Sequence, residues 1–142
     1  MAQKMTEDEW RAFVSHGTRT AKLSTVRAGG SPHVAPIWFL IDGDEVVFNT
    51  GRGTVKGRNL ARDGRAALCV DDDQPPFAYV ILQGRVEVSE DLDDLQSWAA
   101  RIGARYMGES RAEEFGKRNG VPGELLVRMR IEKVSAYTGI AD

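Results

Sequence analysis

The sequence predicts a mainly β (α+β) protein in which six short antiparallel strands close into a barrel with peripheral helices. Three features predict this fold class: apolar and polar residues alternate along short segments, tight turns that contain glycine separate these segments, and the helical patterns lie outside the main run of strands. Closure into a barrel also removes the exposed edges that so many short strands otherwise leave.

A short helix is predicted near the start of the chain. Thr6 can cap its N-terminus, and Glu9 stands three residues later, which is the spacing of a capping box. Trp10, Phe13 and Val14 then share one face at helical spacing, so we expect this face to pack against the strands.

The first three strands are predicted to form an antiparallel meander. They span residues 18–26, 32–41 and 45–50, and turns at 28–31 and 42–44 join them. The first of these turns contains two consecutive glycines, which adopt positive φ angles without steric cost.

The second half of the chain adds three strands and two helices. Strands are predicted at 65–70, 78–88 and 125–137. A helix over 92–102 has apolar residues at i, i+3 and i+4 spacing, and a weaker helical pattern covers 110–118.

Length and composition limit the class of protein. A chain of 142 residues with 42% hydrophobic and 28% charged residues is expected to form a single domain over 1–142 with a buried core. The net charge of −2 gives no field that would attract nucleic acid or an anionic membrane, and no apolar run approaches the ~20 residues of a membrane span. The polar N-terminus and the single cysteine, Cys69, indicate a cytoplasmic protein without disulfides.

The segment 49–59, NTGRGTVKGRN, is the strongest candidate for a binding site. It lies where the third strand ends and a short helix begins, and free N–H groups at a helix start favour an anion. Thr50 and Thr54 add hydroxyl groups, and Arg52 and Lys56 add positive charge. The spacing is not that of a Walker A loop. The combination is typical of a phosphate site, although a basic, solvent-exposed loop would have the same composition.

A second candidate lies in the second strand, at Pro36 and Trp38. A proline in mid-strand removes a backbone donor, so Pro36 marks an edge, a bulge or a place where another group lies against the strand. Trp38 offers a flat ring with one N–H donor. Together they could receive a flat heterocycle with polar edges. In the alternative interpretation, Trp38 belongs to the core and Pro36 marks a barrel corner.

Other chemistry has little support in the sequence. His16 and His33 lack cysteine or carboxylate partners at ligand spacing, so no metal site is expected. No serine stands in a G-x-S-x-G context, which argues against a hydrolase. We therefore assign no catalytic acid, base or nucleophile.

Several short motifs, in this order, resemble those of a known superfamily. They occupy residues 30–39 (GSPHVAPIWF), 42–44 (DGD), 49–51 (NTG), 56–63 (KGRNLARD), 70–72 (VDD) and 84–87 (GRVE). In combination they resemble the pyridoxamine phosphate oxidase-like split-barrel superfamily, and the similarity covers nearly the whole chain. Within it, the chain is similar to class B of the flavin/deazaflavin oxidoreductases, the branch that uses the deazaflavin coenzyme F420.

The resemblance implies a six-stranded split β-barrel and a homodimer with two cofactor sites at the subunit interface. It implies that the phosphate of F420, or of FMN, lies in the segment around Thr50 and Lys56, with the ring along residues 34–38. A second subunit would close the ring site. The cofactor-binding residues expected on this basis are Val34, Pro36, Ile37, Trp38, Asn49, Thr50, Gly51, Arg52, Thr54, Val55, Lys56 and Asn59, with Phe77, Tyr79 and Gln83 of the second subunit.

The implied activity is hydride transfer from reduced F420 to a small unsaturated or tetrapyrrole-like organic acceptor. The cofactor would carry the chemistry, and the protein would orient it and exclude water. Two alternatives remain: an FMN-dependent oxidoreductase on the same barrel, and a non-catalytic protein that binds or carries F420 or FMN. The chain lacks the Arg- and His-rich C-terminal segment of the pyridoxamine phosphate oxidases themselves, so pyridoxine phosphate oxidation is not expected.

Overall fold

The computed structural model describes residues 1–142 and contains eight strands and four α-helices. The strands are β1 (Gln3–Lys4), β2 (Ala21–Val26), β3 (Pro32–Ile37), β4 (Leu40–Asp42), β5 (Glu45–Gly51), β6 (Arg65–Asp72), β7 (Ala78–Ser89) and β8 (Glu124–Thr138). The helices are α1 (Glu7–Val14), α2 (Val55–Arg62), α3 (Leu92–Met107) and α4 (Ala112–Asn119), and a single 3-10 turn at Glu109–Arg111 precedes α4.

Helix α1 begins with the predicted capping box. Thr6 Oγ1 accepts the N–H of Glu9 at 3.2 Å, and Glu9 Oε1 accepts the N–H of Thr6 at 2.8 Å. Two donors of the first turn are thereby satisfied. The side chains of Trp10 and Val14 are buried, so the predicted apolar face does pack against the strands.

The strands form one antiparallel sheet that curls back on itself. The strand order is β3-β2-β6-β7-β8-β5-β4, with β1 paired to β8. The two ends of this order, β3 and β4, follow each other in the chain and are joined by only Trp38 and Phe39. The ends of the sheet must therefore lie close together, and because β3 and β4 do not pair, the barrel is split between them.

The prediction of one strand over 32–41 is wrong at Trp38 and Phe39, where the strand breaks. The Phe39 side chain is fully buried. Its backbone N–H and C=O bind the side chains of Tyr106 and Arg105 on α3 instead of a neighbouring strand. With β3 and β4 counted as one bent strand, the sheet has the six predicted strands plus the two-residue β1, and the predicted fold class is confirmed.

The core fills the barrel and extends under the helices. In β5, Val46 and Phe48 belong to the main cluster inside the barrel, whereas Val47 points outward against α3. All three side chains are fully buried. Helix α3 therefore covers the outside of β5, and its residues Leu95 and Trp98 form a second apolar cluster with Val47.

On the outward-facing side of β2, β3, β6 and β7 lie two hollows that are lined by strand and loop residues alone. Here the strand register aligns one row of outward-facing residues, which runs from Val34 through Ser24 and Ala67 to Gln83. We call this outward-facing side of the four strands the outer face.

None of the helices combines the length and the apolar character that a segment crossing a lipid bilayer needs.

Candidate functional site

A cavity of about 470 Å³ opens beside the break between β3 and β4. The ends of β3 and β5, the start of α2, and the helices α3 and α4 border it. The two candidate segments of the sequence, around Pro36 and around Thr50, therefore face the same space. The residues that line it are Thr20, Pro36, Ile37, Trp38, Asn49, Thr50, Gly51, Lys56, Ile102, Asn119 and Glu124.

Thr54 holds the turn between β5 and α2. Its Oγ1 donates to the carbonyl oxygen of Gly51 at 2.7 Å and accepts the N–H of Gly57 at 3.1 Å. The Thr54 N–H also donates to the Gly51 carbonyl, at 3.1 Å. Thr54 is thus the N-cap of α2. Its hydroxyl is occupied by the turn, and Thr50, whose Oγ1 lies 3.3 Å away, is the hydroxyl that lines the cavity.

The first turn of α2 leaves hydrogen-bond donors free. The N–H groups of Val55 and Lys56 donate to no group of the protein, as is usual for the first turn of a helix. The half-buried Lys56 side chain lines the cavity and forms no ion pair, and the first turn of α2 carries no acidic residue. The positive end of the helix and the ammonium group together favour an anion at this position.

Gly57 is required by the close packing of one backbone segment on another. A Cβ at this position would lie 2.2 Å from the carbonyl oxygen of Gly51 and 3.2 Å from that of Arg52. Both oxygens belong to the main chain, so they cannot move aside as the end of a flexible side chain would. Any other residue at this position would push the β5–α2 turn apart.

Asn59, Arg52 and Val55 do not line the cavity. Asn59 is buried, and its Nδ2 donates to Thr25 Oγ1 at 3.0 Å, which ties α2 to β2 below the turn. The exposed guanidinium of Arg52 forms an ion pair with Glu90. Lys56 is consequently the only cationic side chain among the lining residues.

Strand β3 presents free backbone groups along its outer edge. In its hairpin with β2, the Arg27 N–H donates to the Ser31 carbonyl at 2.9 Å, so these two residues form a hydrogen-bonded pair. Hydrogen-bonded and non-hydrogen-bonded pairs alternate along an antiparallel ladder, so Pro32, Val34 and Pro36 fall in the non-hydrogen-bonded pairs. Their backbone groups therefore point away from β2. The two prolines remove no ladder bond, and the N–H and C=O of Val34 face an edge with no further strand.

Trp38 both packs against the helices and lines the cavity. Its ring stacks on Tyr106, with 5.0 Å between the ring centroids and 6° between the planes. It also contacts Phe115 at a centroid distance of 5.8 Å. The Trp38 ring is therefore held by the helices and also borders the space that the two candidate segments face.

The residues assigned to a second subunit lie on another side of this chain. Phe77 and Tyr79 border a largely apolar cavity of about 520 Å³. Gln83 borders a separate groove of about 500 Å³. Tyr79 and Gln83 belong to β7, and both groove and cavity lie along the outer face.

Sequence reasoning missed Thr20, Ile102, Asn119 and Glu124. Glu124 is the only carboxylate that lines the cavity. It stands opposite Gly51 in the β5–β8 register, and its Oε1 accepts the Asn49 Nδ2 at 3.0 Å. No motif marks these four residues, because only strand pairing and helix packing bring them to the cavity.

Residues 6–138 match the pyridoxamine 5'-phosphate oxidase family. Over 138 residues the chain is 34% identical to the F420H2-dependent biliverdin reductase of Mycobacterium tuberculosis (strain CDC 1551 / Oshkosh), and this match covers 95% of the chain and 90% of that protein.

Two solved structures show the same fold. A conserved hypothetical protein from Mycobacterium tuberculosis has a TM-score of 0.82 and 24% identity, covering 95% of this chain and 86% of the other. An F420 reductase has a TM-score of 0.69 and 24% identity, and the match covers 87% of this chain and 94% of the reductase. At these identities the likeness establishes the fold alone.

Proposed function

Because the chain belongs to the pyridoxamine 5'-phosphate oxidase family, we propose that it is an F420-dependent reductase that delivers a hydride from the reduced deazaflavin to a small organic acceptor. The relative at 34% identity is named for this cofactor and matches nearly the whole chain. The structural observation that carries the proposal is the cavity, which the unpaired Lys56 side chain lines at the first turn of α2, where the N–H groups of Val55 and Lys56 are free.

The residues at the start of α2 fit the phosphate group of F420. The N–H groups of Val55 and Lys56, the Lys56 Nζ and the Thr50 hydroxyl supply donors for several phosphate oxygens. The close packing of Gly57 on Gly51 keeps the turn compact and holds the end of β5 close to the first turn of α2. We therefore propose this turn as the phosphate site, with Thr54 and Asn59 holding it in place.

We place the deazaflavin ring along the outer edge of β3. The free N–H and C=O of Val34 and the C=O of Pro36 can pair with the polar edge of a flat heterocycle, and Ile37 and Trp38 provide an apolar wall. Bound in its reduced form, F420 supplies the hydride. The protein's own residues hold and orient the ring and exclude water, so no catalytic acid or base is assigned.

We further propose that a second copy of this chain covers the outer face and completes the ring site. The hollows along the outer face are lined by strand and loop residues alone, and Val34 and Phe77 are 66% and 41% exposed. Phe77 adopts a φ angle of 68°, which non-glycine residues rarely do. In a two-fold dimer both copies use the same face, so Phe77, Tyr79 and Gln83 of the second subunit would approach the β3 edge.

We propose a linear tetrapyrrole as the acceptor, since the relative at 34% identity is named for the reduction of biliverdin. The test is a single-turnover reaction in which reduced F420 and biliverdin are mixed with the protein. Oxidation of F420 together with loss of the biliverdin colour is expected. Turnover with reduced FMN but not with reduced F420 would indicate a flavin enzyme. Tight F420 binding without transfer to biliverdin would favour a binding or carrier protein.

A further inference from the structure

Two neighbouring side chains of α3 hold the break between β3 and β4. The Phe39 N–H donates to Tyr106 Oη at 3.2 Å, and Arg105 Nη1 donates to the Phe39 carbonyl at 2.7 Å. Tyr106 Oη in turn donates to the carbonyl of Arg19 at 2.9 Å. Since Phe39 belongs to neither strand, the helix supplies the partners that a sheet would otherwise provide.

Arg105 is a half-buried cation with no carboxylate partner. Besides Phe39, it donates to the carbonyls of Val14 at 2.7 Å and Gly17 at 2.9 Å, at the C-terminal end of α1. Its guanidinium thus joins α1, α3 and the strand break through backbone oxygens. Burial lowers the pKa of Arg105 and raises the pKa of Tyr106, so the Tyr106 phenol keeps the proton that it donates.

The Tyr106 ring also fixes the orientation of Trp38. The two rings are nearly parallel, with 6° between their planes and 5.0 Å between centroids. Trp38 lines the cavity, whereas Tyr106 does not. One side chain therefore sets both the backbone at Phe39, through its hydroxyl, and the indole plane of Trp38, through its ring.

We infer that Tyr106 is a positioning residue for the cofactor ring, which it serves by holding Trp38 and the end of β3 in place. It acts through Trp38 and Phe39 without contact to the cofactor. This inference rests on the proposed function in one respect, namely that the bound ring is the deazaflavin of F420. The contacts of Tyr106 with Phe39 and Trp38 are features of the chain itself.

The test compares two variants of Tyr106 with a control on the same helix. Tyr106→Phe removes the hydroxyl and keeps the ring, whereas Tyr106→Leu removes both. Because Tyr106→Phe loses the two hydrogen bonds that the hydroxyl forms with Phe39 and Arg19, the Kd for F420 should rise about fivefold or more, and it should rise further in Tyr106→Leu. Leu95→Val changes a buried residue of the cluster between α3 and β5, so it should lower thermal stability and leave the Kd unchanged.

Two readouts separate failure of this inference from failure of the proposed function. If the wild-type protein binds F420 and Tyr106→Leu binds it equally well, Tyr106 has no positioning role. If the wild-type protein does not bind F420, the proposed function fails, and the near-ultraviolet circular dichroism of the Trp38–Tyr106 stack becomes the readout. This signal should persist in Tyr106→Phe and vanish in both Tyr106→Leu and Trp38→Phe. Its persistence in Tyr106→Leu would overturn the inference.

Discussion

Gly57→Ala is expected to open the β5–α2 turn and weaken cofactor binding. The new Cβ would lie 2.2 Å from the Gly51 carbonyl oxygen, whereas ordinary contact begins at 3.4 Å. One of the two backbone segments must therefore move by roughly 1 Å. The Gly51 carbonyl accepts both the N–H and the hydroxyl of Thr54, so the movement strains the cap of α2 as well.

The size of the effect follows from these contacts. Overpacking costs about 1–3 kcal/mol, and each weakened hydrogen bond of Thr54 costs about 1 kcal/mol. The higher helix propensity of alanine offsets about 1 kcal/mol of this loss of stability. We expect a net loss of about 3 kcal/mol in the free energy of unfolding, which lowers the Tm by about 6–12 °C for a chain of this size. Displaced N–H donors should raise the Kd for F420 by about tenfold or more.

Gly53→Ala, in the same turn, is the matched control. A Cβ at Gly53 meets no atom within 4 Å, and Gly53 does not have a positive φ angle. This variant should keep the Tm and the Kd of the wild-type protein. Thermal unfolding and fluorescence titration with F420 measure both quantities. If Gly57→Ala behaved like Gly53→Ala in both assays, the turn would not depend on the close backbone packing.

Three further predictions concern single side chains. Lys56→Ala should raise the Kd for F420 about tenfold or more in a fluorescence titration, whereas Arg58→Ala, at an exposed position of the same helix, serves as the control. A change within about twofold for Lys56→Ala would show that the phosphate does not bind at the start of α2. Asn59→Ala should lower the free energy of unfolding by about 1–3 kcal/mol in urea, because Thr25 loses its buried donor; unchanged stability would refute this. Glu124→Gln should lower the Kd for F420 at low salt, because it removes a negative charge from the cavity and keeps an oxygen that accepts from Asn49. A Kd equal to that of the wild-type protein would show that the phosphate binds far from Glu124.

The local elements could be predicted because short-range rules determine them. The capping box of Thr6 and Glu9 and the turn at 28–31 depend on residues within a few positions of one another. The alternation along β2 likewise shows directly which side chains point into the barrel. The two halves of the cavity were visible as separate segments for the same reason, since each one is continuous in the chain.

The break at Trp38 and Phe39 could not be predicted in this way. It depends on Arg105 and Tyr106, which follow Phe39 by 66 and 67 residues and reach it only after α3 packs on the sheet. Residues 37–41, IWFLI, form a continuous apolar run across the break, so nothing in the local sequence separates β3 from β4.

Side-chain partners across the fold were equally invisible to the sequence. Arg52 stands inside the phosphate-like segment, but its guanidinium pairs with Glu90 after β7. Glu124 lines the cavity because β8 pairs with β5. Composition pointed to a turn that borders the cavity, whereas the structure was needed to show that Lys56 lines the cavity and Arg52 does not.

The most direct measurement is the titration of the purified apo-protein with F420 and, separately, with FMN, followed by the fluorescence of each ring. We predict micromolar or tighter binding of F420 and markedly weaker binding of FMN. The same titration with Lys56→Ala should show that the affinity depends on the start of α2. Preference for FMN, or binding of neither cofactor, would contradict the proposal of an F420-dependent reductase.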